Sequence, residues 1–144
     1  MKKTILPLIA LVVAVSMCVS PDNPGTNSTD VVVTNNVFYI GETMDLPAST
    51  CEEHDLYGKV IVIHQTGCGA CERVVPALEE IEDELNLTFE YVNLQVDPSR
   101  IFELNIQPFY VPTVIIDCTA YVSKESIWNK DKYMTIISGR LGIQ

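Results

Sequence analysis

Apolar and polar positions fall into distinct blocks along this chain. The first apolar block, Ile5 to Val15, is broken only by Pro7 and follows Met1-Lys2-Lys3. It is apolar on all sides and too short to cross a bilayer comfortably, so 1–17 reads as an export signal or membrane anchor. Large apolar side chains are then almost missing from Ser20 to Thr29, where Pro, Asn, Gly, Ser and Thr dominate. That composition predicts a flexible linker over 18–36. A folded domain is expected over 37–144. Val37-Phe38-Tyr39-Ile40, closed by Gly41, reads as an edge strand. Lys59 to His64 carries four successive β-branched residues, the mark of a strand buried on both faces. Val74, Leu78, Ile81 and Leu85 recur at spacings of four, three and four among acidic residues, which predicts an amphipathic helix. Phe89 to Leu94 reads as a second core strand. Asp97 as cap and Pro98 at the first helical position open a short helix ending near Asn105. Thr113 to Ile116 is a third core strand.

Strand, helix, strand, helix, strand is the order of an α/β protein with parallel pairs in its sheet and helices on its faces. Tyr133 to Ile137, rich in β-branched residues and followed by Ser138-Gly139, reads as a last strand, in competition with a helix from about Ser126. The strand reading leaves no room for a terminal helix before Gln144.

At 144 residues, 47% of them hydrophobic, the chain supports one domain with its own core. The formal net charge is −10, and it falls to −12 without Lys2 and Lys3. A surface that acidic repels phosphate backbones and anionic lipid, which excludes nucleic acid as a partner and leaves membrane contact to the N-terminal anchor. Cys18 ends the first apolar block as Val15-Ser16-Met17-Cys18. This resembles a lipoprotein processing box, with Met17 departing from the small residue usual before the Cys. Lipid on Cys18 would tether the chain outside the cytoplasm, where paired cysteines persist as disulfides. Asn27-Ser28-Thr29 and Asn86-Leu87-Thr88 match the acceptor pattern for N-glycosylation.

The candidate chemistry lies at Cys68-Gly69-Ala70-Cys71, between the apolar strand and the amphipathic helix. A Cys at a helix N-terminus faces unpaired N–H groups and the positive end of the dipole, which favour its thiolate. Cys68 is therefore expected to be the more exposed and more acidic thiol of the pair. Half a zinc site is the competing reading. The sequence has no second C-x-x-C and no His pair, so a zinc site would have to recruit Cys51 and Cys118. No metal and no cofactor are expected.

The segment 57–118 resembles the thioredoxin family, in particular exported, membrane-tethered members. The resemblance is carried by Tyr57-Gly58-Lys59-Val60-Ile61-Val62, by Cys68-x-x-Cys71, by Pro76 five residues later within Pro76 to Leu85, and by Val111-Pro112-Thr113. It implies a thioredoxin-like fold with a central mixed sheet flanked by helices, here lacking the C-terminal helix. It implies catalytic Cys68 and Cys71, a cis proline at Pro112, and a Val111-Pro112 backbone that holds substrate. The implied function is extracytoplasmic thiol–disulfide exchange with protein partners, supported by a redox partner protein. Two departures stand out: Gly67 replaces the family's Trp before the first Cys, and Val62 replaces a buried acid that assists the second. His64 is a candidate proton relay in its place. Cys51 and Cys118 are expected to pair as a structural disulfide, with two unpaired thiols as the alternative. The departures motivate a second function reading, a non-catalytic thioredoxin-like module that binds a protein partner or a metal.

Overall fold

The computed structural model describes residues 37–123 and 129–143. The segment 1–17, Cys18, the linker 18–36 and Asn27 lie outside the described residues. Along the chain the elements are β1 (Phe38–Ile40), β2 (Met44–Asp45), α1 (Ala48–Glu53), β3 (Val60–His64), α2 (Cys71–Leu85), β4 (Glu90–Asn93), α3 (Ser99–Glu103), β5 (Ile106–Pro108), β6 (Thr113–Ile116), β7 (Thr119–Val122) and α4 (Lys130–Leu141).

β3 shows why its sequence is continuously apolar. Side chains alternate across a strand, and here Ile61 and Ile63 enter one core cluster while Val60 and Val62 enter another. β3 lies in a five-stranded sheet of order β2-β7-β6-β3-β4. It runs parallel to β4 and antiparallel to β6, so the sheet is mixed. On one face α2 contributes Val74, Leu78 and Ile81, and α4 contributes Tyr133 and Ile137. The other face is covered by Cys51 of α1, Leu56 beyond it, Ile101 of α3 and Leu104, with Ile40 and Ile106 beside them. β1 and β5 form a separate parallel ribbon, with Tyr39 opposite Gln107 and Ile40 opposite Pro108.

α4 corrects the expectation that the terminal helix is missing, and with it the strand reading of Tyr133 to Ile137. Three features outweigh the strand preference of Thr135, Ile136 and Ile137. The Asn129 side chain accepts the Lys132 N–H at 3.0 Å and caps the helix start. Gly142, at φ 67°, ends the helix in the left-handed conformation. Tyr133 and Ile137 sit four residues apart, on one helix face, and both are fully buried. Helix and strand propensities span only ~1 kcal/mol per residue, less than burial of one large side chain. Tyr133 also shares a 2.7 Å hydrogen bond with Ser123 Oγ, and burial pushes its phenol up to about 12 against the opposing effect of that bond. Lys130 bonds Glu80 at 2.8 Å and also Glu84, joining α4 to α2.

Other elements differ in smaller ways. α3 runs only from Ser99 to Glu103, with Pro98 rather than Asp97 at its cap. β7 is joined to β6 by a two-residue turn, Asp117-Cys118, in which both residues have positive φ (46° and 67°). Hairpins with such turns usually carry Asn-Gly or Asp-Gly, so Asp-Cys gives little warning of one. Here Asp117 Oδ1 accepts the Gly58 N–H at 2.9 Å, and Leu46 N–H bonds the Cys118 carbonyl at 2.9 Å.

Candidate active site

β3 leads directly into the site. After His64 the chain turns through Gln65, Thr66 and Gly67, and Gly67 takes φ +74°. A side chain at Gly67 would have room but would be strained by the backbone. That conformation accounts for a glycine at this position. Asn93 of β4 donates from Nδ2 to Thr66 Oγ1 at 3.1 Å and pins the turn. Sequence reasoning missed this contact, since Thr and Asn in loops carry no distinguishing signal.

The turn delivers Cys68 just ahead of α2, with Cys71 as its first residue. The two Cα atoms are 5.2 Å apart and the sulfurs are within bonding reach. The Cys71 N–H donates to Cys68 Sγ at 3.1 Å. This is an unpaired first-turn donor of the helix satisfied by sulfur, the geometry that stabilises a thiolate. The two sulfurs differ in access: Cys71 is 3% exposed, whereas Cys68 is half-buried. When the pair is reduced, iodoacetamide at mildly acidic pH should label Cys68 roughly tenfold or more faster than Cys71. A charge-assisted hydrogen bond and the helix dipole together supply ~2 kcal/mol, and burial slows Cys71 further. Peptide mapping of the alkylated sites reads the ratio, and equal labelling would remove the case for Cys68 as attacking group.

The loop before β6 faces the same sulfur. The Val111–Pro112 bond is cis. The Val111 carbonyl oxygen lies 3.6 Å from Cys68 Sγ, where the thiol form can donate to it. Thr113 Oγ1 donates to the Tyr110 carbonyl at 2.8 Å, and Ser123 N–H to the Pro112 carbonyl at 3.2 Å, so both flanks of the loop are held. Val111 and Pro112 are thus brought to Cys68.

Beside Cys71 an open groove of about 320 Å³ is lined by His64, Thr66, Cys71, Pro76, Glu79 and Asn93, among others. Pro76 lies inside α2 and lacks the N–H that would bond the Glu72 carbonyl one turn back. His64 ends β3 with its ring edge-on to Tyr91, the centroids 6.4 Å apart. Glu79 joins it in the groove, a carboxylate that its place on a generally acidic helix face did not distinguish. Val62 is fully buried in the apolar cluster beneath α2.

Cys51 and Cys118 come together elsewhere, with Cα atoms 5.7 Å apart and the sulfurs in contact. β3 and β6 are antiparallel with Val60 opposite Ile116, so Cys118 lies beyond the N-terminal end of β3. Cys68 lies beyond the C-terminal end. The length of a five-residue strand separates the pairs, too far for four sulfurs to share one tetrahedral zinc or for one pair to reduce the other directly.

No protein-family model matches this chain, and no curated protein sequence does. Solved structures similar to it include thioredoxin 1 from the thermophilic eubacterium Thermosipho africanus, 23% identical, covering 59% of this chain and 96% of that one with a TM-score of 0.47. Another is the thioredoxin of Malassezia sympodialis, 18% identical, covering 72% of this chain and 90% of that one with a TM-score of 0.41. By its own topology, a mixed sheet with βαβ and β-hairpin halves, helices on both faces and a dithiol at the start of α2, the chain has a thioredoxin-like fold.

Proposed function

We propose that this protein is an extracytoplasmic thiol–disulfide oxidoreductase that exchanges disulfides with protein partners through Cys68 and Cys71. The observation that carries this reading is the Cys71 N–H bonded to Cys68 Sγ beside the Val111 carbonyl. It supplies a stabilised sulfur, a resolving sulfur and a neighbouring backbone in one place. The charge-then-apolar start of the chain supports export, and Cys18 supports a tether.

In the reducing direction the Cys68 thiolate attacks one sulfur of a partner disulfide, and the other partner sulfur leaves as thiolate. Cys71 then loses its proton and attacks Cys68 Sγ, which releases the second partner thiolate. Two electrons pass to the partner and Cys68–Cys71 is left oxidised. The reverse sequence oxidises a partner dithiol. Val62 offers no acid beneath Cys71, and the groove beside Cys71 holds His64, which supports His64 as the group that takes the Cys71 proton, directly or through water.

Cys71→Ser tests the reading. It keeps the attacking sulfur and removes the resolving one, so mixed disulfides with partner proteins should accumulate on Cys68. They should appear on non-reducing gels and disappear with dithiothreitol. A variant that traps nothing from extracytoplasmic extracts, together with wild-type protein inactive toward insulin, would transfer the argument to the binding-module reading.

A further inference from the structure

An exposed pair of aromatic rings sits at the ribbon of β1 and β5. The ribbon's inward positions, Ile40, Ile106 and Pro108, are buried, as strand alternation requires. Its outward strand positions are Tyr39 and the polar Gln107, and one residue past β5 comes Phe109; Tyr39 and Phe109 are 58% and 62% exposed. Their rings stack at 5.5 Å between centroids and 19° between planes. The stack is held from below, since the Phe109 N–H bonds the Ile40 carbonyl at 2.9 Å. It is also held from the side: a Cβ at Gly41 would come within 3.1 Å of the Phe109 ring. Isolated exposed apolar side chains are ordinary, whereas two rings stacked and held in place present one contiguous apolar surface to solvent.

Its position gives that feature a use. Phe109 lies two residues before Val111, so their Cα atoms are at most ~7 Å apart. The Val111 carbonyl is itself 3.6 Å from Cys68 Sγ. A partner segment extended along this loop with its cysteine at Cys68 brings a side chain two residues away to about the same distance, because alternate side chains of an extended chain are ~7 Å apart. The charge of the whole protein, −10, favours approach of a basic segment over an acidic one, and the exposed ring faces accept cations as well as apolar groups.

We propose that Tyr39 and Phe109 form a specificity shelf that selects partner disulfides whose cysteine lies two residues from an aromatic or large aliphatic side chain, within a basic segment. The proposal rests on the oxidoreductase reading and names the substrate class of that site. The chemistry is that already described: Cys68 attacks the partner cysteine sulfur, the S–S bond of the partner breaks, and its other sulfur leaves as thiolate.

The test uses the reduced full chain and short peptides whose single cysteine is joined by a disulfide to 5-thio-2-nitrobenzoate. Attack at the peptide sulfur then releases a coloured thiolate. The peptides differ only in the residue two positions before or after the cysteine (Phe, Leu, Ala or Glu) and in Lys or Glu flanks. The second-order rate constant for Phe or Leu on one side should exceed that for Ala by about tenfold, the value of ~1.4 kcal/mol of ring contact. Lys flanks should be faster than Glu flanks at low salt, converging as salt is raised. In the double variant Y39A/F109A the Phe-to-Ala ratio should fall to about twofold or less. Both residues are exposed, and circular dichroism checks that the variant folds. Equal rates across the peptides in wild-type protein overturn the shelf while leaving the oxidoreductase intact. No reaction with any peptide overturns the oxidoreductase reading itself. A stable dimer of the wild-type chain that Y39A/F109A dissociates assigns the shelf to a second copy of the chain and overturns its role in substrate choice.

Discussion

Replacing Cys68 by Ser should lower the dithiothreitol-driven reduction of insulin to the protein-free rate, a loss of roughly 10³-fold or more. The size of the loss follows from the asymmetry of the pair. Cys71 is 3% exposed beneath the start of α2 and cannot meet a folded partner's disulfide, so it does not substitute for the missing sulfur. Ser keeps the shape of Cys and can still accept the Cys71 N–H, so α2 should start where it does in the wild-type protein. Cys71→Ser should also stop turnover, but after one attack rather than before it, with a single equivalent of partner covalently held. Turbidity of reduced insulin reads the first result and intact mass the second. Wild-type turnover that survives in Cys68→Ser would remove Cys68 from the mechanism.

The double variant C51A/C118A should lose about 4 kcal/mol of stability and keep its insulin activity at temperatures where it remains folded. The pair closes a loop of 67 residues. In the chain-entropy account a loop of that size is worth between the ~3 kcal/mol of a 15-residue loop and the ~4.7 kcal/mol of a 100-residue one. The location makes the loss felt broadly. Cys51 anchors α1, and Cys118 sits in the β6–β7 turn at φ 67°, a conformation that a residue with a side chain adopts at a cost. Activity should persist because this pair lies at the opposite end of β3 from Cys68. Urea unfolding of the oxidised wild-type protein against the variant measures the difference. A change below about 1 kcal/mol would mean that the two sulfurs are not bonded in the native protein.

Much of the layout was legible in the residues because it depends on local periodicity. β3, α2, β4 and β6 lie where short strand-like segments, or apolar residues at helical spacing, predicted them. Each carries enough apolar surface to need burial whatever its partners. The placing of Cys68 ahead of α2 was legible for the same reason, since strand and helix patterns meet there. The features that escaped notice share a different origin. β2 and β5 are two and three residues long and exist only through pairing with β7 and β1. Within the candidate site, Glu79 and the Asn93–Thr66 bond are supplied by residues whose types are common on any surface.

What the sequence by itself determined is the chemistry and its local setting: a dithiol spaced one helical turn apart at a strand-to-helix junction, an apolar strand behind it, and a proline at the start of a later strand. These depend on bonds and contacts within a few residues, and the side chains that make them are written in order. The tertiary structure decided what depends on residues far apart. It made 130–141 a helix, because Tyr133 and Ile137 join Val62 and Leu78 in one buried cluster, and that burial outweighs small differences in propensity. It brought Val111 to Cys68 across 43 positions and set Cys51 against Cys118 at the other end of the same strand. It also stacked Tyr39 of β1 on Phe109, one residue past β5, because β1 and β5 pair in one register and not another. Register shifts by a single residue exchange the faces of a strand, so no pattern within either segment alone could say that these two rings would meet.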